Sequence, residues 1–267
     1  MSRLGIIAGG GALPVALAAA DPAAHCVAFA GAEVALPEAQ VERHRLERLG
    51  ALFDALRAAG VSRVVMAGAM TRPELDHSAL DPVMLSLMPR LAQAMQGGDD
   101  GLLRLVIALF EEQGFAVIGA HELMPDLTAE PGLLVGDQVT ETTRGDIQRG
   151  RAILDALAPV DVGQGCVVAD GLCLGVETLQ GTDALLDFVA ATPVDLRGER
   201  RGVLIKRPKA GQDLRVDMPA IGPDTARRAA CAGLEGIAIA AGGVVLLDRP
   251  ELLTTLRDRG LFLLAEP

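Results

Sequence analysis

The sequence predicts an α/β protein in two parts: an N-terminal Rossmann-like domain with a parallel sheet, and a C-terminal mixed α/β domain with hairpins. Two observations predict this class. In the first half, short apolar runs alternate with Ala- and Leu-rich helical segments, which is typical of parallel strands joined by crossover helices. In the second half, two-residue turn signals separate pairs of apolar runs. A chain of 267 residues with 50% hydrophobic residues can bury two such cores.

Four strands are predicted in the first half, at residues 4–8, 26–30, 63–67 and 115–118. A helix is predicted over residues 97–114, because Gly114 can end it before the following strand. Three consecutive glycines and Pro14 interrupt the apolar N-terminal stretch. They favour a strand, a tight loop and a helix there over the continuous apolar helix of a secretory signal.

The domain boundary is predicted near Pro131, which gives domains of residues 1–131 and 132–267. A Thr-rich stretch at 137–145 leads into a helix through about residue 158, and further helices are predicted at 183–190, 223–232 and 250–259. Asp170 with Gly171, and Gly242 with Gly243, are typical hairpin turns. They predict one hairpin of residues 166–169 with 172–176, and another of 236–241 with 244–248.

Composition argues against several classes of function. The net charge of −11, the absence of Trp and Tyr and the presence of only 6 Phe leave little to bind phosphate backbones or stack bases, so nucleic acid is not expected as a partner. The four cysteines show no CxxC spacing and the four histidines form no HxxxH pair. A structural zinc site is therefore not indicated, and reduced cytosolic thiols are expected.

The glycine loop Gly9, Gly10 and Gly11 lies between the first predicted strand and helix. Backbone amides at such a loop can approach an anion at the positive end of the helix. The loop matches a dinucleotide-binding loop only in part, because Pro14 stands at the third glycine position, although Glu33 could bind a ribose. A tight turn that only packs the first helix and an anion-binding turn remain equal alternatives.

Two further stretches follow predicted strands. Thr182 and Asp183 stand at a helix start, where helix capping explains them as well as ligand binding does. His121 follows the last strand of the first half, at the end where open α/β sheets bind ligands. An ordinary polar loop residue is the favoured interpretation of His121.

The charged segment 206–217, K-R-P-K-A-G-Q-D-L-R-V-D, is the strongest candidate. Apolar residues alternate with charged ones at its end, which predicts an extended segment with Asp213, Arg215 and Asp217 on one face. Such a face suits a Mg²⁺ ion held by carboxylates and substrate phosphates, with Lys206, Lys209 and Arg215 balancing the remaining phosphate charge. An exposed edge strand with alternating salt bridges is the other interpretation.

Several strings together resemble the LpxI family of UDP-2,3-diacylglucosamine pyrophosphatases of lipid A biosynthesis. They are LGIIAGGGALP at 4–14, GAHE at 119–122, VGQG at 162–165, VE at 176–177 with GTDA at 181–184, and QDLRVDMPAIG at 212–222. The resemblance implies a cytosolic, Mg²⁺-dependent enzyme that releases UMP and an acylated sugar 1-phosphate, and whose two domains hold the lipid between them. The chain departs from the family at Gln180, where an acidic residue is common, and the loop 206–211 has no residue-by-residue match.

The resemblance implies a role for Asp217 alone, and the other expected roles come from the residues themselves. Asp217 corresponds to the functional aspartate and is expected to bind the metal or the attacking water, with Asp213 as a second metal carboxylate. Substrate contacts are expected from the residues Gly10, Gly11, Gln164, Thr182, Asp183, Lys206, Gln212 and Arg215. The expected partner is a UDP-linked diacylated glucosamine, with at most peripheral contact with the inner membrane; a homodimer is left open. An NAD-dependent oxidoreductase and a non-catalytic nucleotide- or lipid-binding module are the alternatives.

Overall fold

The computed structural model describes residues 3–70, 75–96, 98–198 and 200–267, and the chain divides into two compact units. Unit 1 comprises Met1–Pro125 and Asp213–Asp217, and unit 2 comprises Asp126–Gln212 and Met218–Pro267. The first change of unit lies a few residues before the predicted boundary at Pro131. The short segment Asp213–Asp217 returns to unit 1 from within the second half, which the sequence analysis did not anticipate.

Unit 1 is an open α/β sheet with helices between its strands. The strands are β1 Arg3–Ala8, β2 His25–Phe29, β3 Val41–His44, β4 Val61–Ala67 and β5 Ala116–Val117. The helices are α1 Leu13–Ala20, α2 Leu49–Ala58, α3 Pro82–Gln96, α4 Gly98–Glu112 and α5 Ala120–Leu123. Over the described ranges these strands form one sheet in the order β3-β2-β1-β4-β5, and every pair is parallel.

The core of unit 1 explains why the predicted strands form. β1 and β4 bury nearly every side chain, as central strands covered on both faces do. Phe53, Phe110 and Phe115 pack together, with ring centroids 5.3 to 6.2 Å apart. The four predicted strands and the helix before β5 are confirmed, except that Gly97 lies outside the described residues. β3 was not predicted, because its sequence VERH has no apolar run.

Unit 2 contains a mixed sheet. Its strands are β6 Gly132–Val135, β7 Gly165–Ala169, β8 Leu172–Val176, β9 Val203–Lys206, β10 Ala220–Ile221, β11 Gly236–Ala240, β12 Val245–Leu246 and β13 Phe262–Glu266. Its helices are α6 Glu141–Leu157, α7 Gly181–Ala190, α8 Val194–Arg197, α9 Pro223–Cys231 and α10 Arg249–Asp258. In the described part of the chain the main sheet has the order β6-β13-β11-β9-β7-β8, and β10 pairs with β12 separately.

The predicted hairpin at Asp170 and Gly171 is confirmed. β7 and β8 are antiparallel, and both turn residues have positive φ, at 48° and 77°, as a type I′ turn requires. The buried carboxylate of Asp146 on α6 accepts hydrogen bonds from both turn amides, at 2.9 and 2.6 Å. Helix α6 therefore holds the turn as well as covering the sheet.

The second predicted hairpin, at Gly242 and Gly243, is wrong. β11 pairs in parallel with β9 on one side and with β13 on the other, so neither of its edges is open to the residues that follow the turn. Those residues form β12, which pairs in parallel with β10. The two glycines therefore redirect the chain away from the main sheet, and unit 2 is more parallel than predicted.

No helix within the described ranges combines the length and the apolar character needed to cross a bilayer. Of the helices of unit 2, α6 packs against β7 and β9, and α9 packs against α7 and α10.

Candidate functional site

The carboxyl ends of β1 and β4 mark the point where the strand order of unit 1 reverses, which is where open α/β sheets bind ligands. The loops that follow these two strands bond to each other. The amide of Gly10 donates to the carbonyl of Ala69 at 2.8 Å, and the amide of Ala69 donates back at 3.0 Å. A Cβ atom on Gly9 would lie 2.4 Å from the Ala69 oxygen, so only glycine allows this approach.

Gly9 and Gly10 therefore pack against the loop that follows β4, which is a different contact from the predicted packing of the first helix. Because the Gly10 amide is already bonded to Ala69, it does not point to an anion in this arrangement. Gly11 differs, since it is exposed, has φ of +94° and has open space where a side chain would be. Of the two predicted anion contacts, at Gly10 and Gly11, only the one at Gly11 is compatible with this arrangement, and it stays a prediction.

The segment Asp213–Asp217 is a turn, so the predicted extended strand is wrong. The amides of Val216 and Asp217 both donate to the carbonyl of Asp213, at 3.4 and 3.3 Å, and the amide of Arg215 donates to the Asp213 carboxylate at 3.0 Å. An aspartate that bonds the amide two residues on is a common way to close such a turn. These local bonds outweigh the alternation of apolar and charged residues that predicted a strand.

The guanidinium of Arg215 is bound on three sides within unit 1. Its Nε and Nη2 donate to the Asp213 carboxylate at 3.0 and 2.7 Å, and its Nη1 donates to Glu111 of α4 at 2.7 Å. Nη1 also lies 3.4 Å from the carbonyl of Val117, at the carboxyl end of β5. We name Asp213, Arg215 and Glu111 the arginine clamp. Val216 packs against the apolar core of unit 1 beside it.

The geometry does not fit Asp213 as a magnesium ligand. Both of its carboxylate oxygens already accept hydrogen bonds from Arg215. The same bonds, with burial opposing them, hold the pKa of Asp213 below its ordinary value. Among the described residues, no group of three His, Cys, Asp or Glu side chains is placed to bind a metal ion. The predicted binding of Mg²⁺ by Asp217 and the phosphate oxygens of a ligand, a mode that Mg²⁺ commonly uses, stays a prediction.

Asp217 is half-buried at the end of the turn. Its backbone is fixed by the bond from its amide to Asp213, and the clamp fixes Asp213 in turn. The predicted functional aspartate is thus the last residue of a turn that the bonds of Arg215 connect to Glu111. Its catalytic role stays a prediction.

Lys206 belongs to a separate buried cluster in unit 2. Its ammonium donates to both carboxylate oxygens of Glu177, at 3.0 and 2.7 Å, and to the hydroxyl of Thr182 at 2.5 Å. The exposed fractions of the Lys206 and Glu177 side chains are only 5% and 11%. We name these three residues the lysine cluster. An ammonium has three donors, and all three have acceptors here, so the predicted phosphate contact of Lys206 and the predicted substrate contact of Thr182 are not supported by this arrangement.

The string Val162 to Gly165 packs against the lysine cluster. A Cβ atom on Gly163 would lie 2.1 Å from the carbonyl oxygen of Glu177, and one on Gly165 would lie 2.5 Å from its carboxylate. Both glycines therefore make room for Glu177. The side-chain oxygen of Gln164 between them is buried and has no hydrogen-bond partner among the described residues, so its predicted substrate contact remains open.

The other predicted contacts have protein partners. The carboxylate of Asp183 lies 3.4 Å from the guanidinium of Arg228 on α9. The side-chain oxygen of Gln212 accepts from the amide of Lys209 at 2.8 Å, and this bond closes the loop before the turn. Neither contact shows whether Asp183 or Gln212 binds the substrate, so both contacts stay predictions.

Unit 2 has a polar cavity of about 540 Å³ beside the residues that precede β9 and β11. It therefore lies at the end of the main sheet opposite to Lys206, which is the last residue of β9. Its buried groups are bonded within the protein: Thr143 donates to Glu235 at 2.7 Å, and Asp146 holds the hairpin turn. Ligand sites in α/β sheets lie at the carboxyl ends of the strands instead.

Comparison with known families identifies the family of this chain. The family model described as the LpxI N-terminal domain matches residues 3–127, and the model of the LpxI C-terminal domain matches residues 130–264. The chain belongs to the LpxI family. It is 41% identical over 277 aligned residues to the UDP-2,3-diacylglucosamine pyrophosphatase LpxI of Caulobacter vibrioides, with 99% of this chain and 97% of that protein covered. The family resemblance drawn from the sequence is thereby confirmed.

Two charged residues of this LpxI-family chain that form its main ion pairs, Glu111 and Glu177, were not predicted from the sequence. Glu111 gives no signal, because an exposed glutamate near the end of a helix looks like any solvated helix face. Glu177 does give one, because it directly follows the apolar strand β8, Leu172–Val176. An isolated carboxylate there requires a buried cation, and Lys206 at the end of an apolar strand is the natural partner.

Proposed function

We propose that the protein hydrolyses the pyrophosphate of UDP-2,3-diacylglucosamine to UMP and 2,3-diacylglucosamine 1-phosphate, a step of lipid A biosynthesis. The observation that carries this proposal is the match along the whole length of the chain, through both domains, to a protein with that activity in its name. The enzyme acts in the cytoplasm, with at most peripheral contact with the inner membrane, where a lipid with a nucleotide head group can be reached.

In the reaction, the oxygen of a water molecule bonds to one phosphorus and the bridging P–O bond breaks. The bridging oxygen stays on the other phosphate, and the two products share the protons of the water. The enzyme must align that water and stabilise negative charge on the leaving phosphate. Asp217 would either hold Mg²⁺ together with the substrate phosphates or align the attacking water. The metal ion, when bound, neutralises charge on the phosphate oxygens.

The assignment of Asp217 is tested by the substitution Asp217→Ala. We expect the rate of UMP release to fall about 1,000-fold, the scale on which loss of one group that stabilises the transition state acts. The thermal unfolding temperature should stay close to that of the wild type, because the Asp217 side chain is only half-buried. The exposed residue Asp54 gives the matched control, Asp54→Ala, which should retain full activity.

Retained activity in Asp217→Ala would refute the role of Asp217, and release of UMP that survives metal chelation would refute the role of Mg²⁺. A wild-type protein that binds the UDP-lipid without releasing UMP would be a binding module. Stabilisation by NAD(H), with none by UMP and Mg²⁺, would favour an oxidoreductase. No observation favours that alternative, since Pro14 replaces the third glycine of the dinucleotide motif.

A further inference from the structure

Arg215 has the wrong surroundings for a phosphate ligand. Its three guanidinium nitrogens donate to Asp213, Glu111 and the carbonyl of Val117. Two carboxylates accompany one cation, and the positive charge of Arg104, which also acts on Asp213, brings the group only to neutrality. With two carboxylates already bonded to its guanidinium, Arg215 offers no excess of positive charge to a pyrophosphate.

The clamp does have the geometry to hold a turn. Arg215 and Asp213 form a two-pronged pair within the turn, while Glu111 is more than 100 residues away in the sequence. The bond to Glu111 and the packing of Val216 attach the turn to α4 and to the core. A planar guanidinium with fixed donors suits this connection, which a lysine could not reproduce.

We propose that Arg215 is a positioning residue for the hydrolysis, which together with Asp213 and Glu111 fixes the turn that carries Asp217. The proposal rests on the proposed function for the role of Asp217. Arg215 acts on the conformation of the chain and makes no contact with the phosphates. It follows that Glu111, which is exposed and remote in sequence, is needed for full activity.

Glu111→Ala is the variant that separates this role from phosphate binding. If Arg215 positions the turn, loss of Glu111 loosens it, and kcat should fall about tenfold with KM within about twofold of the wild type. If Arg215 binds phosphate, loss of a competing carboxylate frees the cation, and KM should fall with kcat retained. The neighbouring residue provides the matched control: Glu112 pairs with Arg90 on α3 at 2.8 Å, and Glu112→Ala should behave as the wild type.

Substitutions of Arg215 give a second test. Arg215→Ala should lower kcat about 100-fold, since small displacements of a reacting group have effects of that size. Arg215→Lys should fail to restore kcat, because an ammonium cannot bond Asp213 and Glu111 in the same plane. Recovery of activity in Arg215→Lys, or a rise in KM with kcat unchanged in Arg215→Ala, would overturn the proposal.

Hydrogen–deuterium exchange makes the test independent of activity. The amides of residues 215–217 are all bonded within the turn, so they should exchange faster in Arg215→Ala and in Glu111→Ala than in the wild type or in Glu112→Ala. Unchanged exchange rates of these amides in a folded variant would overturn the proposal that the clamp holds the turn. If the wild type releases no UMP, the proposed function fails, while the exchange data still decide whether the clamp holds the turn.

Discussion

The lysine cluster of unit 2 and the arginine clamp of unit 1 come from the two ends of one charged segment, yet they are built differently. Lys206 has 5% of its side chain exposed and shares its carboxylate partner with a hydroxyl. Arg215 has 34% exposed and lies between two carboxylates, one of which, Glu111, is 46% exposed. The two cations therefore have different tasks, and the exposed fraction of their side chains distinguishes them.

This difference has an energetic consequence. A buried ion pair costs desolvation, and loss of one partner leaves a charge with no compensation. A partly exposed pair contributes much less to stability, because water can replace the lost partner. We therefore expect the lysine cluster to determine the stability of unit 2, and the arginine clamp to determine activity.

The largest effect is expected from Lys206→Met, which leaves the carboxylate of Glu177 buried without its cation. The free energy of unfolding should fall by about 3 to 5 kcal/mol. Replacement of both partners, Lys206→Met with Glu177→Leu, should recover most of it, because no buried charge then remains. Urea unfolding measures both. A loss below about 1 kcal/mol in the single variant would mean that the lysine cluster contributes no more to stability than an exposed ion pair does.

A smaller loss is expected from Gly163→Ala. The new Cβ atom would lie 2.1 Å from the backbone oxygen of Glu177, so the strand end that carries Glu177 must move, at a cost of about 1 to 3 kcal/mol. Gly145→Ala is the matched control, because it lies inside α6 and its Cβ atom would meet nothing within 4 Å. That change should stabilise the protein by about 1 kcal/mol. Equal effects in both variants would contradict this interpretation of the Val162–Gly165 string.

The arginine clamp predicts a pH effect in the acid range. Hydrogen bonds from Arg215 hold the pKa of Asp213 below its ordinary 3.8. The stabilisation from the pair is therefore complete above the unfolded value and is lost as the pH falls through the lower folded value. In Arg215→Met the pKa of Asp213, followed by carboxyl NMR, should rise, and the stability difference from the wild type should narrow in acid. An unchanged midpoint would show that Arg215 does not bind Asp213 in solution.

The smallest effect is a difference in thiol labelling between the units. Burial raises the pKa of Cys166 to about 12 and also raises that of Cys26, whereas Cys173 and Cys231 are exposed. Near neutral pH a thiol reagent should modify the exposed pair and spare the buried pair. Lys206→Met should speed labelling of Cys166, since its strand β7 pairs with β9, and should leave Cys26 in unit 1 unchanged. Equal acceleration of both would indicate global unfolding.

The sequence predicted most elements of the fold because periodicity and turn chemistry act locally. The hairpin at Asp170 and Gly171 needs only a short segment to form, so it could be found without tertiary information. The second hairpin failed because pairing depends on which strand edges remain open, and β13 at the chain end closes one of them.

The candidate site was less predictable. Asp217 was singled out through family strings, and its role stays a prediction. The ion pair of Lys206 with Glu177 could not be predicted, because only the fold brings the two residues together. Asp213 was taken for a metal ligand because an alternating pattern does not reveal that an aspartate closes its own turn. Glu111 could not be found at all. Long-range pairs such as Glu111 with Arg215 are set by tertiary packing, which a single sequence does not encode in any local pattern.

The segment Asp213–Asp217 also affects the order in which the protein matures on the ribosome. The family boundary ends the N-terminal domain at residue 127, yet unit 1 takes five of its residues from far beyond that point. When residue 127 is synthesised, Val216 has not yet been made and cannot pack against the core of unit 1. Arg215 is likewise not yet present to pair with Glu111. Unit 1 is therefore completed only after most of unit 2 has been made. The turn before Asp217 cannot be assembled on a nascent N-terminal half, so completion of the hydrolase is delayed until both halves exist.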